Sequence, residues 1–243
     1  MVETGFCDIL EFVESKNDKT ELNLTGRPIK GESNENSVIR AWAIMHEKYS
    51  IPPVKIHLHK VIPPGSGLGG GSSDGSFMLA GLNSYFNLNL TNGRLKQLAS
   101  SLGSDCSFFI DNKPLLVAGK GDILTPTPKF IENLWLYIFY PGFEVSTADA
   151  YSSVTPVAGR DSLIDILFSN ISSWKENLVN DFESQVFKKF PVIAEIKQKI
   201  YESGALYSSM SGSGSSVFGL YSEKPSLSED LCKLLVWEEM VSL

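Results

Sequence analysis

The sequence has few of the features that mark a secreted, nucleic-acid-binding or membrane protein. Its three cysteines, Cys7, Cys106 and Cys232, are far apart and odd in number, which argues against a disulfide framework and a thiolate metal site. Lys and Arg number 21 against 28 Asp and Glu, and the net charge of −7 does not favour non-specific binding to nucleic acids or membranes. No apolar run is long enough to span a bilayer, and the first residues lack the pattern of a signal peptide. These absences predict a protein of the reducing cytoplasm with no nucleic-acid or membrane partner.

What the sequence does contain indicates a globular protein of two parts. Apolar residues make up 42% and charged residues 20% of the 243 residues, which is ordinary for a chain with a hydrophobic core. The apolar stretch "NLWLYIFYPG", residues 133–142, starts a new run of strands and helices. We therefore expect an N-terminal domain over residues 1–127 and a C-terminal domain over residues 128–243. Residues 205–223 predict two strands around a Gly/Ser segment.

Local patterns predict several elements of the N-terminal part. Residues 7–15 and 19–26 alternate in hydrophobicity on either side of a polar turn and predict a β-hairpin. Residues 54–62, "VKIHLHKVI", predict a further strand. Thr91 is expected to cap a helix. Residues 104–111, "SDCSFFID", predict a turn that leads into a strand.

The segment "PPGSGLGGGSSDGS", residues 63–76, is the most unusual stretch of the chain. It lies between a predicted strand and a predicted helix, which argues against a flexible linker, and it has more glycines than a tight turn needs. A glycine-rich loop before a helix offers backbone N–H groups and the positive end of the helix dipole to an anion. The segment therefore predicts a phosphate-binding loop, in which Ser72 and Ser73 add hydroxyl groups that could help to hold a metal ion. Its glycines before those serines are Gly65, Gly67, Gly69, Gly70 and Gly71.

Three familiar phosphate loops fit this segment poorly. Gly65, Gly67 and Gly70 match the dinucleotide fingerprint G-x-G-x-x-G, but a second helix follows where the ribose-binding strand belongs. A Walker A loop ends in G-K-[ST], whereas Gly71 is followed directly by serines. The protein-kinase motifs V-A-I-K, H-R-D and D-F-G do not occur in the sequence.

A different family matches the whole chain in order. The glycine segment resembles the ATP loop P-x-x-x-G-L-G-S-S-A of the GHMP kinases. Its triple glycine resembles the branch that phosphorylates 4-diphosphocytidyl-2-C-methyl-D-erythritol in the non-mevalonate route to isoprenoids. Four further motifs are similar to that branch: "LGSDCSFF" at 102–109, "GKGDILTP" at 119–126, "PGFEVSTADAY" at 141–151 and "ALYSSMSGSGSSVFGL" at 205–220.

The resemblance implies an α+β protein with the two-domain GHMP kinase fold. Its N-terminal part would resemble the second domain of ribosomal protein S5, and its C-terminal part a ferredoxin-like layer. The implied reaction is transfer of a phosphoryl group from ATP, with Mg²⁺, to the 2-hydroxyl of the methylerythritol unit. Other GHMP kinases, of the homoserine or mevalonate type, remain the alternative enzymes.

The resemblance also implies the residues on the ATP side and the catalytic base. Asp105 occupies the position of the base that takes the proton from the alcohol, although Asp at such a turn most often only caps it. Lys60 and Asn36 occupy positions near the adenosine, although a solvated lysine and a helix N-cap are ordinary interpretations of both. The ATP loop comprises Pro63, Pro64, Gly65, Ser66, Gly67, Leu68, Gly69, Gly70, Gly71, Ser72 and Ser73.

On the substrate side, the resemblance implies a second backbone wall at Gly212, Ser213 and Gly214, for which a plain β-turn is the alternative. Thr147 and Tyr151 fall in the segment that lines the diphosphocytidyl site. Tyr151 could stack on the cytosine or simply pack on the protein core.

Two further features lead to an expectation of no metal site and no cysteine nucleophile. His57 and His59 share one face of a strand, but no third ligand occurs at a suitable spacing, so we expect no protein metal site. Cys106 is expected to be a small buried residue rather than a nucleophile.

The chain departs from the family at its start. The family opens with a segment like A-K-x-N-L-x-L and then R-x-D-G-Y-H, and neither occurs here. By resemblance, the lysine of the first segment steadies the base, so a chain that starts at Met1 is expected to lack the first strand, to expose a sheet edge and to be poorly soluble or weakly active. A catalytically impaired ATP-binding fragment is therefore the alternative from another functional class.

Overall fold

The computed structural model describes residues 1, 4–121, 123–128, 130–152, 154 and 161–242. It contains two compact units. The first unit comprises Met1–Pro64 and Gly69–Pro126, and the second comprises Gly65–Leu68 and Thr127–Leu243. Within the described ranges, no helix is both long and apolar enough to cross a membrane.

The first unit combines five strands with four α-helices and one 3-10 helix, Ser33–Glu35, in the described part of the chain. Its elements are β1 (Ile9–Glu14), β2 (Glu21–Gly26), α1 (Ser37–Tyr49), β3 (Val54–Lys60), α2 (Gly70–Tyr85), α3 (Asn92–Ser100), α4 (Cys106–Asp111), β4 (Leu115–Ala118) and β5 (Ile123–Pro126).

The main sheet of the first unit has the strand order β1-β3-β2, so the predicted hairpin of β1 and β2 is wrong. β3 lies between them, antiparallel to β1 and parallel to β2. Its inner face is the most completely buried of the three, with Val54, Ile56 and Leu58 inaccessible or nearly so, and this burial favours the central position. The link between β1 and β2 crosses the start of β3, where Ser15 N donates to Pro53 O at 2.8 Å.

Helices α1, α2 and α3 form one hydrophobic core with the inner face of β3. α1 starts at the cap Asn36 and buries Val38 and Met45, which lie on one stripe at helical spacing. Trp42 of the same stripe is half-buried, and its indole N–H donates to Pro52 O at 3.1 Å. Thr91 caps α3, as predicted, because its hydroxyl accepts from Arg94 N.

The segment predicted as a turn, residues 104–111, instead contains the short helix α4, and the strand that follows it is β4. The sequence did not indicate a helix here because the run Phe108-Phe109-Ile110 is too short to show the periodicity of a helix or of a strand. In the fold, Cys106 and Phe108 are buried where α4 packs on α2 and α3. Asn112 ends the helix in the left-handed conformation, with a φ of 46°.

The second unit is a four-stranded antiparallel sheet with helices packed on it. Its strand order is β7-β8-β6-β9, and the predicted pair of strands around the second Gly/Ser segment is confirmed as β7 and β8. The elements are β6 (Leu134–Phe139), α5 (Thr147–Ser152), α6 (Leu163–Leu167), α7 (Trp174–Asn177), α8 (Glu183–Lys189), α9 (Pro191–Glu202), β7 (Tyr207–Met210), β8 (Val217–Tyr221), α10 (Glu229–Leu234) and β9 (Leu235–Val241).

The core of the second unit lies between α9 and the sheet. α9 begins at Pro191, which suits the first turn of a helix, and it buries Ile193, Ile196 and Ile200 at helical spacing. These side chains pack on β7 and β8, including the fully buried Val217.

Candidate active site

The start of α2 presents backbone N–H groups in the manner of an anion site. α2 has 16 residues and begins at Gly70, after Gly69 in the left-handed conformation. Its first intrahelical bond is donated by Ser73 N to Gly69 O at 2.9 Å. The preceding N–H groups of a helix have no carbonyl of their own helix to bind, and the helix dipole is positive there.

Four of the five glycines before Ser72 are required by contacts within their own unit. Gly65, Gly67 and Gly69 have positive φ angles of 63°, 78° and 74°, which side chains rarely adopt. A Cβ at Gly67 would lie 2.1 Å from Ser211 O, and one at Gly70 would lie 2.9 Å from Ile62 Cγ2. Gly71 differs, because a Cβ there would meet no atom of the described residues within 4 Å.

Residues 65–68 are tied to the turn between β7 and β8 in the second unit. Ser216 N donates to Ser66 O at 2.9 Å, and Ser211 Oγ donates to Gly67 O at 2.9 Å. A Cβ at Gly212 would lie 3.1 Å from Gly67 O. The structure therefore brings two predicted site segments, the start of the ATP loop and the second glycine turn, into direct contact.

Lys60 is buried rather than solvated. It is the last inward-facing residue of β3, and its side chain is 3% exposed. Its ammonium group donates to Asp74 Oδ2 at 2.7 Å and also to Asp8 Oδ2. The interpretation as a solvated lysine is therefore wrong, and contact with adenosine stays a prediction. A Cβ at Gly70 would lie 3.3 Å from Lys60 Nζ, so the ammonium group lies next to the start of α2.

The two carboxylates around Lys60 are anchored differently. Asp8 Oδ1 accepts from Val61 N at 2.6 Å and from Ile62 N at 2.9 Å. Asp74 belongs to α2, and burial raises the pKa of its carboxyl group to about 7, although the Lys60 ammonium group opposes that rise. This buried cluster of Asp8, Lys60 and Asp74, here called the ionic anchor, joins β3 to α2 behind the ATP loop.

Asn36 caps α1, since its Oδ1 accepts from Val38 N at 3.1 Å. The interpretation as a helix cap is thus confirmed, and a role near adenosine stays a prediction.

Asp105 lies at the residue before α4, and its side chain is exposed. It makes no capping hydrogen bond to α4, and its Oδ1 instead accepts from Ser104 Oγ at 3.3 Å. Cys106, the next residue, is buried as expected, and burial raises the pKa of its thiol. An exposed carboxylate beside a buried neighbour is available to a ligand, while its assignment as the base remains a prediction.

The predicted substrate residues of the second unit cluster at the turn between β7 and β8. Thr147 Oγ1 and Ser213 Oγ are 3.2 Å apart and hydrogen-bonded. Tyr151 is 66% exposed, and its ring contacts Phe182 edge-to-face with 4.8 Å between centroids. Tyr151 is therefore not a core residue, and its stacking on a cytosine stays a prediction.

The site residues predicted from the sequence do not include the side chains that bind the backbone of the turn between β7 and β8. Asn180 Nδ2 donates to Met210 O and to Gly212 O, both at 2.8 Å, and its Oδ1 accepts from Phe182 N at 3.0 Å. Glu183 Oε1 accepts from Met210 N at 2.8 Å. The available sequence signal was the segment "LVNDFES", in which Asn and Asp precede a helix, a pattern typical of an Asx turn.

Glu183 is buried, and a lysine balances the charge of its carboxylate at the other oxygen. Its Oε2 accepts from Lys197 Nζ at 2.6 Å, and Ser209 Oγ donates to its Oε1 at 3.2 Å. Together with Asn180, it forms what we call the backbone anchor of the second unit.

His57 and His59 lie on the exposed face of β3, where both rings contact the Thr25 hydroxyl at 2.8 and 2.9 Å.

Comparison with known families gives matches to both parts of the chain. The family described as "GHMP kinases N terminal domain" matches residues 36–113, and "GHMP kinases C terminal" matches residues 163–235. A protein of Parabacteroides distasonis named 4-diphosphocytidyl-2-C-methyl-D-erythritol kinase is 47% identical over 218 residues, which are 90% of this chain and 79% of that protein. A Bacteroides fragilis protein of the same name is 43% identical over 224 residues, covering 91% and 82% of the two chains.

Solved structures give the same family. The crystal structure of a 4-(cytidine 5'-diphospho)-2C-methyl-D-erythritol kinase matches with a TM-score of 0.71 and 31% identity, over 88% of this chain and 76% of that one. A homoserine kinase of Cytophaga hutchinsonii has a TM-score of 0.63 at 20% identity, over 93% and 78% of the chains, and shows likeness of fold alone. The predicted α+β class and kinase fold are confirmed by these matches.

Proposed function

The chain belongs to the GHMP kinases and, within them, to the family of 4-diphosphocytidyl-2-C-methyl-D-erythritol kinases, and from this membership we propose that it transfers the terminal phosphoryl group of ATP to the 2-hydroxyl of that substrate. The products are the 2-phosphate and ADP, and the reaction serves the non-mevalonate route to isoprenoid precursors.

One observation carries the ATP part of this proposal. Gly71 leaves bare backbone at the start of a 16-residue helix, yet no contact within the described chain requires a glycine there. A phosphate group that lies against the N–H groups of the first turn supplies the missing reason, because a Cβ would stand between it and the backbone. The whole loop Pro63–Ser73 is the proposed ATP loop, with Lys60 and Asn36 on the adenosine side.

Phosphoryl transfer to an alcohol needs a group that takes the hydroxyl proton. We assign this step to Asp105, whose carboxylate is exposed, makes no capping hydrogen bond to α4 and lies in the motif "LGSDCSFF". The proton moves from the substrate hydroxyl to a carboxylate oxygen of Asp105 as the oxygen attacks phosphorus. The bond to the ADP oxygen then breaks, and ADP leaves with that electron pair.

The family implies that ATP acts with Mg²⁺, which neutralises phosphate charge when it is bound. Mg²⁺ prefers hard oxygen ligands, and the hydroxyl groups of Ser72 and Ser73 in the first turn of α2 fit that preference. These two side chains are the proposed protein ligands.

We assign the diphosphocytidyl side of the substrate to the second unit. The bonded pair of Thr147 and Ser213 provides hydroxyl groups for phosphate or ribose oxygens, and the exposed ring of Tyr151 offers a face for the cytosine. The Gly212 and Gly214 backbone forms the wall next to Ser213.

We also propose the cytoplasm as the compartment of the reaction. Cys7, Cys106 and Cys232 are all free in the structure. Free thiols and a requirement for ATP support a place in the cytoplasm.

A coupled assay of ADP release tests the proposal. With ATP and Mg²⁺, we expect turnover of 4-diphosphocytidyl-2-C-methyl-D-erythritol and none of homoserine or mevalonate. Asp105→Asn is expected to abolish turnover while ATP still binds in calorimetry, because the amide cannot accept the proton.

Asp111→Asn, at the other end of α4, is the matched control and should retain turnover. Preference for homoserine or mevalonate would overturn the substrate assignment, and full activity of Asp105→Asn would overturn the assignment of the base.

A further inference from the structure

We infer that Asn180 is a positioning residue of the second glycine turn, residues 211–214, and sets the place of Ser213 and of the loop carbonyls that this turn holds. The inference rests on the proposed function, since it concerns the substrate side of the same site. It assigns a role in the reaction to a side chain that lies outside all the motifs discussed above.

The turn cannot fix its own shape. Gly212 and Gly214 have positive φ angles of 53° and 91°, and glycine has the largest backbone freedom of all residues. Inside the turn, Ser211 N donates to Ser216 O at 2.8 Å and Gly214 N donates to Ser211 O at 2.9 Å. These bonds close the ends of the turn but do not involve the carbonyl groups of Met210 and Gly212, which flank Ser211. A side chain outside the turn must orient them.

Asn180 orients those two carbonyl groups. Its amide nitrogen donates to Met210 O and to Gly212 O at 2.8 Å each. The side chain therefore binds the backbone one residue before and one residue after Ser211. Ser211 is thereby held so that its Oγ reaches Gly67 O at 2.9 Å. The hydrogen bond to Gly212 O also fixes the direction of the chain from Gly212 to Ser213, whose hydroxyl contacts Thr147.

Asn180 is itself held by the chain around it. Its Oδ1 accepts from Phe182 N at 3.0 Å, and its carbonyl accepts from Glu183 N at 3.0 Å. The ring of Phe182 contacts Tyr151. One short segment therefore orients the turn through Asn180 and supports the proposed cytosine-binding ring through Phe182.

A positioning role is separable from a structural one because Asn180 is only half-buried. Its two carbonyl acceptors can bind water when the amide is lost, whereas the buried Glu183 beneath them keeps the end of β7 in place. Loss of the amide is therefore expected to loosen the turn without unfolding the unit.

Asn180→Asp in the full chain tests the inference. The aspartate keeps the oxygen that accepts from Phe182 N but replaces the donor with an oxygen that repels both carbonyl groups. We expect kcat/KM for the diphosphocytidyl substrate to fall by a factor on the order of ten or more, since small displacements of binding groups have large effects on rate. We also expect faster hydrogen exchange at the amides of residues 210–216 and a melting temperature close to that of the wild type.

Asn177→Asp is the matched control, because Asn177 Nδ2 also donates to a backbone carbonyl, that of Ser173 at 3.0 Å, but only within the turn of its own helix. Its kcat/KM and the exchange of residues 210–216 should equal those of the wild type. If Asn180→Asp fails to fold, Asn180→Ser replaces it, since serine also suits this position before a helix but is too short to reach both carbonyl groups.

Two outcomes would overturn the inference: a folded Asn180 variant with wild-type kcat/KM, or one with unchanged exchange at residues 210–216. If the wild type itself does not phosphorylate the substrate, the proposed function fails, and the exchange experiment alone then decides for or against the positioning role.

Discussion

Behind the start of α2, Lys60 lies between two carboxylates, whereas behind the turn at residues 211–214 a carboxylate and an amide bind backbone atoms. The side chains of Asp8, Lys60 and Asp74 are 3%, 3% and 7% exposed, so the ionic anchor is almost completely shielded from water. In the backbone anchor, the Glu183 side chain is 9% exposed, its ion-pair partner Lys197 is 22% exposed, and Asn180 carries no charge. The first glycine segment therefore depends on a cluster of three buried ionisable groups and on pH, and the second depends on one partly exposed ion pair and on a neutral amide.

The difference follows from what each anchor must join. The ionic anchor connects side chains of β3, α2 and the segment before β1, whose backbones are already paired in strands and a helix. The backbone anchor connects to carbonyl and N–H groups at the glycine turn. The neutral amide of Asn180 binds the two carbonyl groups, and the Glu183 carboxylate, paired with Lys197, binds the N–H group of Met210.

Lys60→Met should give the largest change in stability. It leaves two buried carboxylates without their cation, and breaking a buried ion pair in this way costs about 3–5 kcal/mol. Urea unfolding measures the loss. In Lys60→Met/Asp74→Leu much of the stability should return, since Asp8 keeps its two backbone donors.

Lys199→Met serves as the control because its partner Asp230 is exposed, and the unfolding midpoint should barely move. Equal effects of Lys60→Met and Lys199→Met would refute the importance of the ionic anchor.

The dependence of stability on pH separates the two anchors further. The pKa of Asp74 is raised to about 7 from 3.8, so between about pH 4 and 7 the folded protein binds more protons than the unfolded chain. This contribution to stability is present below pH 4 and is lost as the pH rises to about 7. Asp74→Asn should flatten that part of the profile of unfolding free energy against pH.

Asp149→Asn is the control for this experiment. The hydrogen bond from Lys189 lowers the pKa of the exposed Asp149 carboxyl group, so its titration lies below the window from pH 4 to 7. A profile that Asp74→Asn leaves unchanged would show that Asp74 does not titrate in that window.

Gly71→Ala should have the smallest effect on stability and is the sharpest test of the ATP loop. Because Gly71 is helical and its Cβ position is open, alanine should stabilise the fold by about 0.5–1 kcal/mol. The affinity for ATP, measured by calorimetry, should nevertheless fall, because the methyl group covers the proposed phosphate position.

Gly67→Ala gives the opposite pattern and completes the comparison. Its Cβ would lie 2.1 Å from Ser211 O at a φ of 78°, so this variant should lose stability. A Gly71→Ala protein with undiminished affinity for ATP would contradict the phosphate assignment.

Much of the fold was predictable wherever a few neighbouring residues determine the conformation. The cap at Thr91 and the two strands around the second Gly/Ser segment were correct because each is a local preference. The pairing of β1 with β2 was wrong because neighbours along the chain are only the most frequent partners in a sheet. α4 was missed because six residues do not reveal a period.

The candidate site divides in the same way. Its glycine loop, Asp105 and the second glycine turn were found from ordered motifs, and their roles remain predictions. Asn180 was missed because its partner Gly212 is 32 residues away. Its side chain reaches the carbonyl groups of Met210 and Gly212 only when the segment before α8 packs against the end of β7.

The sequence by itself determined the family, the helix caps at Asn36 and Thr91 and the positions at which glycine replaces a side chain, because motifs and backbone preferences act over short stretches of chain. Only the tertiary structure decided that Lys60 leaves water, since Asp8 lies 52 residues before it and meets it only when the first unit packs. It also decided which of the five loop glycines before Ser72 the described fold requires, and among these five Gly71 alone has an open Cβ position. Burial and long-range contact depend on the whole unit, and no local pattern encodes them.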